Sequence, residues 1–217
     1  MASIIRSIRA LSRRALIAAA CAAMLVPVGL SAAKAQESSG AVAQRIADHF
    51  ASIQAMYGDF VQFDPNGRQQ EGKFYIERPG KVRFDYANSP LRVIADGSNV
   101  AINNKKLNTW ETYPLSQTPM KLLLSRRIDL SQANIQSVKV DPDLVTIVMG
   151  DRSIFGNSRI TMMFDAKTDD LKQWIIRDKQ GKDTSVMIYN VKTGGNIQDS
   201  AFKIPYTAIS QGQTGNR

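Results

Sequence analysis

From Phe60 to Val191 the chain alternates apolar and polar residues in short runs, and between the runs stand residues suited to reversing a backbone. Such turns fall at Asp64–Gly67, Pro79–Gly80, Asn88–Pro90, Asp96–Gly97, Asn103–Asn104, Gly156–Asn157, Thr168–Asp170, Gln180–Gly181 and Gly194–Gly195. A period of two puts successive side chains on opposite faces of a strand, and closely spaced turns join neighbouring strands antiparallel. The pattern predicts an antiparallel meander of about ten or eleven strands. Its clearest members are Gly72–Glu77, Lys81–Tyr86, Leu91–Ala95, Leu144–Met149, Arg159–Asp165, Lys172–Arg177 and Thr184–Val191.

Two segments depart from that period. Val42, Ile46, Phe50 and Ile53, with Met56 or Tyr57, recur at three- and four-residue spacing, which predicts an amphipathic helix over Ala41–Met56, ended by Gly58. Thr118–Ser125, followed by Ile128 and Leu130, reads as one or two short apolar helices with Pro119 in the first turn. A long antiparallel sheet commonly buries one face, and helices are suited to cover it. The fold class expected is α+β: a strongly curved antiparallel sheet, or unclosed β-barrel, capped by helices.

The N-terminus has a different character. Residues 1–35 carry Arg6, Arg9, Arg13, Arg14 and Lys34 but no Asp or Glu, and Ala15–Leu30 is almost wholly apolar. Ala33 and Ala35 then offer small residues two apart. Basic, apolar and small-residue regions in that order predict a secretory signal peptide, cleaved after Ala35. The apolar run is short of the roughly 20 residues a membrane span needs. Arg13-Arg14 fits a twin-arginine signal only loosely, so the general secretion route is favoured. Cys21 is poorly placed for lipid attachment. With it removed, the mature domain at 36–206 has no thiol, and 207–217 reads as a flexible tail.

Charge and chemistry then exclude several functions. Residues 1–35 hold five of the 28 basic residues and none of the 19 acidic ones, which leaves a mature net charge of +4. That is no argument for nucleic acid, although a weakly basic surface suits anionic headgroups or an acidic partner. His49 is the only histidine and has no Ser or carboxylate pattern beside it. Asp141/Asp143 and Asp169/Asp170 pair carboxylates, but at turns, where Asp serves the backbone. No metal-ligand spacing, phosphate loop or nucleophile elbow occurs. The sequence points to no catalytic residues, metal or cofactor.

One residue breaks the alternation. In Gly72–Pro79, the residues Phe74, Ile76 and Arg78 share a face, as do Val82, Phe84 and Tyr86 in the next strand. Arg78 therefore stands at the rim of an apolar face, where an unpaired charge would be costly. Met120, Leu122, Leu123 and Leu124 of the helical segment, with Met149, Met162, Phe164, Ile175 and Val186 on strands, are expected to fill that face. Methionines adapt to variable surfaces, but alone they read as ordinary core.

The run Glu71–Tyr86 resembles the outer-membrane lipoprotein carrier family, the LolA-type chaperones. So does the order of the other features: the N-terminal helix, Phe60–Gln62, Asp96–Gly97, Thr118–Pro119 before a leucine-rich helix, and a final Phe202–Pro205. The resemblance implies an unclosed antiparallel barrel whose helical lid covers an apolar cavity. It implies that Arg78 hydrogen-bonds from barrel to lid as a latch. Phe74, Ile76, Val82 and Phe84 would line the cavity, with Met120, Leu123 and Leu124 beneath the lid. The implied role is a periplasmic, monomeric, non-enzymatic chaperone that binds acyl chains of lipidated outer-membrane lipoproteins. It would receive them from an inner-membrane lipoprotein-releasing ABC transporter and deliver them to an outer-membrane lipoprotein receptor. Alternatives on the same fold are a carrier of another lipid, such as a glycolipid or hopanoid, and a lipoprotein-sensing regulatory domain. Two departures stand out: the cavity's aromatic content reads as modest, with Phe84 where a tryptophan is common, and the tail is short.

Overall fold

The structure is a computed structural model that describes residues 37–130, 135–150 and 158–211. The expected signal peptide, Cys21, the Gly156–Asn157 turn and the end of the expected tail lie outside those residues. Helix α1 (Ser39–Ser52) opens on Ser38, whose Oγ accepts the Ala41 N–H at 3.2 Å, satisfying a backbone donor the helix itself leaves free. Six strands follow: β1 (Ala55–Phe63), β2 (Gln69–Glu77), β3 (Lys81–Tyr86), β4 (Leu91–Asp96), β5 (Asn99–Asn104) and β6 (Thr109–Pro114). A 3-10 turn (Leu115–Gln117) and helix α2 (Met120–Leu123) interrupt them. Then come β7 (Ile135–Val140), β8 (Leu144–Met149), β9 (Arg159–Asp165), β10 (Leu171–Arg177) and β11 (Asp183–Thr193). A second 3-10 turn (Asp199–Phe202) and helix α3 (Tyr206–Ser210) end the described chain.

All eleven strands form one antiparallel sheet in the order β6-β5-β4-β3-β2-β1-β11-β10-β9-β8-β7. β6 and β7 are edges, so the barrel is unclosed. Its curvature follows from one contact. Phe84 on β3 and Trp174 on β10 lie four strand spacings apart, roughly 19 Å on a flat sheet. Their ring centroids are 6.1 Å apart, so the face they share is strongly concave. The apolar side of α1, namely Val42, Ala43, Ile46, Ala47 and Phe50, is buried in the cluster on that face. The expected α+β class, with a curved antiparallel sheet and a few helices, is the architecture observed.

Three local expectations are corrected. α1 ends at Ser52, not Met56, and Met56 already belongs to β1, buried on the concave side. Helical and strand spacing both put Met56 inward, so periodicity alone cannot place the change from one to the other. Gly58 accordingly ends no helix. It lies where the pairing of β1 with β11 slips, and a Cβ there would stand 2.9 Å from the Tyr189 carbonyl oxygen. Finally, Ile175 faces away from the concave core, opposite Thr161 and Ser185. Strict alternation from Leu171 would bring it inward, but β10 carries an irregularity between Leu171 and Gln173 that brings Trp174 and Ile176 inward instead.

The other face has a small core of its own. Ile94 and Ala101 are buried there beneath Phe202 and Ile204, with Tyr75, Trp110 and Ile209 packed alongside. The chain after β11 thus straps the back of β3–β5. Lys81 Nζ meets Asp199 at 2.7 Å, an Arg83 Nη1 donates to the Ala201 carbonyl at 3.2 Å, and the Tyr206 hydroxyl donates to Asp96 at 2.7 Å. Of the segment expected as tail, residues 207–210 are helical.

Candidate functional site under the helices

The concave face gathers every residue singled out for the cavity. Phe74, Ile76, Val82 and Phe84 project inward from β2 and β3 and are 4% exposed or less. Leu123 and Leu124 are buried to 1%, and Met120 packs half-buried against the same cluster. β2 and β3 put these four side chains opposite one another in register, Phe74 facing Phe84 and Ile76 facing Val82. The interior is more aromatic than expected. Phe50, Phe60, Tyr86, Phe164 and Trp174 join Phe74 and Phe84, with Phe60 edge-on to both Phe84 and Tyr86 at 5.0 and 5.2 Å. Trp174 stands against Phe84 from across the sheet, so the tryptophan comes from a strand distant in sequence. Its inward position is hidden from a simple period-two reading by the irregularity in β10.

Arg78 sits where β2 ends, 6% exposed, at the C-terminus of α1. Its Nε donates to the Ile53 carbonyl at 3.0 Å, its Nη2 donates to the same oxygen, and its guanidinium lies 3.7 Å from the centre of the Phe50 ring. Its backbone N–H donates to the Gln54 carbonyl at 2.7 Å. The last carbonyls of a helix lack internal partners, and a cation is well placed there. The side chain therefore closes the end of α1, while the main chain carries the β1–β2 pairing one residue further. Burial lowers the guanidinium to about 10, so it stays charged at neutral pH. Two residues on, the Gly80 N–H donates to the Leu124 carbonyl at 2.8 Å, tying the end of α2 to the same β2–β3 turn.

Side chains hold the opposite flank of α1. Arg45 donates to both oxygens of Asp169, a residue at φ +61° in the β9–β10 turn, and His49 Nε2 lies 2.9 Å from Asp170 Oδ1. The carboxylates Asp169 and Asp170 thus bind the helix. Asp141 meets Lys139 at 2.8 Å and Asp143 meets Lys167 at 3.6 Å. Among the described residues, no three His, Cys, Asp or Glu side chains gather as metal ligands, and no helix is long and apolar enough to cross a membrane. A cavity of about 520 Å³ opens beside the end of α1, lined by Ile53, Met56, Leu171, Ile188 and the Tyr189–Val191 stretch, with Asp170 and Lys172 at its edge. At the far end of the concave face, the Tyr86 hydroxyl donates to Gln62 at 2.7 Å, and burial pushes the phenol up to about 12.

The arrangement is thus an unclosed antiparallel sheet whose apolar concave face is covered by helices, with Arg78 at the end of α1 and Arg45 and His49 along its length. Residues 51–205 match the family model of the outer membrane lipoprotein carrier protein LolA, and the chain belongs to that family. It is 26% identical over 175 residues to an outer-membrane lipoprotein carrier protein of Methylobacillus flagellatus, covering 71% of this chain and 80% of that one. A protein of the same name from Methylococcus capsulatus is 25% identical over 170 residues, covering 73% and 81%. Among solved structures, a LolA superfamily protein from Nitrosomonas europaea aligns with a TM-score of 0.40 and 10% identity, over 76% of this chain and 98% of that one.

Proposed function

We propose that this protein is a periplasmic chaperone that shields the acyl chains of lipoproteins between an inner-membrane ABC transporter and an outer-membrane receptor. The observation that carries the reading is the apolar concave face under α1 and α2, with Arg78 closing the end of α1. In the structure Leu123, Leu124 and Phe50 of the roof are buried in the same cluster as that wall. Cargo must therefore take the place of the roof, and its hydrocarbon replaces the packing lost by Leu123, Leu124 and Phe50.

Magnitudes explain why such a carrier can let go. Burying hydrocarbon yields about 0.8 kcal/mol per methylene, so one long acyl chain represents roughly 10 kcal/mol of gross transfer. Holding all of it would make unloading too slow. Raising the roof breaks the charge-assisted bonds of Arg78 to Ile53, costing a few kcal/mol. Closure then competes with cargo, and an acceptor can win. Phe74, Ile76, Val82 and Phe84 are assigned as the cavity wall, Met120, Leu123 and Leu124 as the underside of the lid, and Arg78 as the latch.

The test is release of a labelled lipoprotein from membranes. Incubation with the purified protein is expected to leave a one-to-one soluble complex, and Arg78→Leu to load but retain its cargo when outer membranes are added. Normal transfer by Arg78→Leu would remove the latch. No release, together with a different lipid extracted from the purified protein, would move the function to that lipid.

A further inference from the structure

The turns of the sheet gather at its two ends. The run of strands places turns 64–68, 87–90, 105–108 and 178–182 at one end, and 78–80, 97–98, 141–143 and 166–170 at the other, with Arg78. In the described turns of the Arg78 end Asp141, Asp143 and Asp170 stand with Lys167, and the chain between β6 and β7, tied to that end by the Gly80 N–H to the Leu124 carbonyl, adds the exposed Lys121, Arg126 and Arg127. At the far end Arg68 is paired with Asp64 at 2.7 Å, and Lys105, Lys106, Lys179 and Lys182 outnumber Asp178. Among the described turns of the far end, lysines are therefore in excess.

Its most prominent element is the turn between β5 and β6. Leu107 at its tip is 61% exposed, the highest value among the exposed large hydrophobic side chains. The turn is built rather than loose. Asn104 Oδ1 accepts from the Lys106 and Leu107 N–H groups at 3.1 and 3.2 Å, and the Lys105 N–H donates to the Pro90 carbonyl at 2.8 Å. Lys105 and Lys106 are exposed, and neither makes an ion pair among the described residues. One exposed leucine means little by itself. A fixed leucine flanked by two lysines that make no ion pair among the described residues matches the chemistry of an anionic bilayer surface, where apolar tips enter the headgroup layer and ammonium groups meet phosphates.

We propose that the Lys105–Leu107 turn is a direct contact site for anionic lipid bilayers. The inference goes beyond the carrier reading and does not rest on it, because vesicle binding and cargo release are read in separate assays. Protein as processed by the cell, with loss of the leader checked by mass, is sedimented with phosphatidylcholine vesicles with or without 30% phosphatidylglycerol, at low and high salt (the lipid fraction is about that of an acidic membrane leaflet). Binding is expected only with the anionic lipid and is expected to weaken with salt. At about one kcal/mol for each lysine, K105A/K106A is expected to lose about thirtyfold in partition. Leu107→Ser is expected to lose up to about tenfold. Lys167→Ala, at the opposite end, should bind as the parent does, and unchanged circular dichroism shows that the variants fold. A tryptophan placed by Leu107→Trp is expected to shift its emission to the blue on anionic vesicles. Equal binding to neutral vesicles, no binding to either, or full binding by K105A/K106A would each overturn the proposal, the second leaving an acidic protein as the surface's partner.

Discussion

The sheet is covered on both faces, and the two covers are built differently. On the concave face α1 and the chain around α2 bury a cluster that runs from β1 through β11 and includes Phe50, Phe60, Phe74, Phe84, Phe164 and Trp174. On the convex face the strap buries only Ile94, Ala101, Phe202 and Ile204. The strap compensates with polar ties, Lys81 to Asp199, Arg83 to the Ala201 carbonyl and Tyr206 to Asp96. Burial of apolar surface scales with area, whereas exposed ion pairs contribute little. The concave cluster therefore carries the fold, and the convex one fastens an end of the chain. A lid that merely swung away would uncover the core of the whole domain. Under the carrier reading proposed above, such a roof would leave only when something equally apolar, such as an acyl chain, takes its place.

Four substitutions or titrations would break or sharpen that contrast. The largest effect is expected for Phe74→Ala, which hollows the concave cluster and should cost about 3–5 kcal/mol in denaturant unfolding. A loss below about 1 kcal/mol would mean that the concave cluster is not what stabilises the fold. Phe202→Ala removes the anchor of the strap. We expect a loss of about 2 kcal/mol, less than for the larger core because the strap can detach by itself. Limited proteolysis should then cut near Lys203 while the half-barrel survives, and global unfolding at the same midpoint as Phe74→Ala would equate the two faces.

Tyr86 probes the concave face by pH. Its phenol is raised from an ordinary 10 to about 12 by burial, so the folded state holds its proton where the unfolded chain loses it. Its contribution is intact below pH 10 and is lost as pH rises from 10 to 12. Tyr86→Phe should flatten the fall in stability across that window, and an unchanged slope would place the phenol in water. Tyr206→Phe is expected to be the mildest change. It deletes the bond to Asp96 at 2.7 Å, on a side chain 43% exposed, for a loss under about 1 kcal/mol by thermal melting.

Much of the concave face is legible in the sequence, because alternation reports which side chains share a face. Phe74, Ile76, Val82 and Phe84 needed nothing else, and Arg78 drew notice as a charge ending an apolar row. Its partner was not legible. The Ile53 carbonyl is a backbone group 25 residues away, and carbonyls leave no trace in a sequence. Trp174 was missed as a neighbour of Phe84 for a related reason: an irregularity that shifts a strand's inward set by one residue is a pairing event, not a composition. The pairing of Arg45 with Asp169 likewise joins residues 124 positions apart.

The sequence by itself determined the antiparallel class, the helices that interrupt it, the inward faces of β2 and β3 and the lack of local catalytic motifs. These depend on period, turn chemistry and residue type, all of which act over a few neighbouring positions. Only the tertiary structure decided where α1 stops, that Arg78 closes its end, that Phe84 meets Trp174 and that a C-terminal strap covers the second face. Those depend on which distant segments curvature and strand register bring within a few ångströms, and that is settled by burying the greatest apolar area without leaving a buried polar group unpaired.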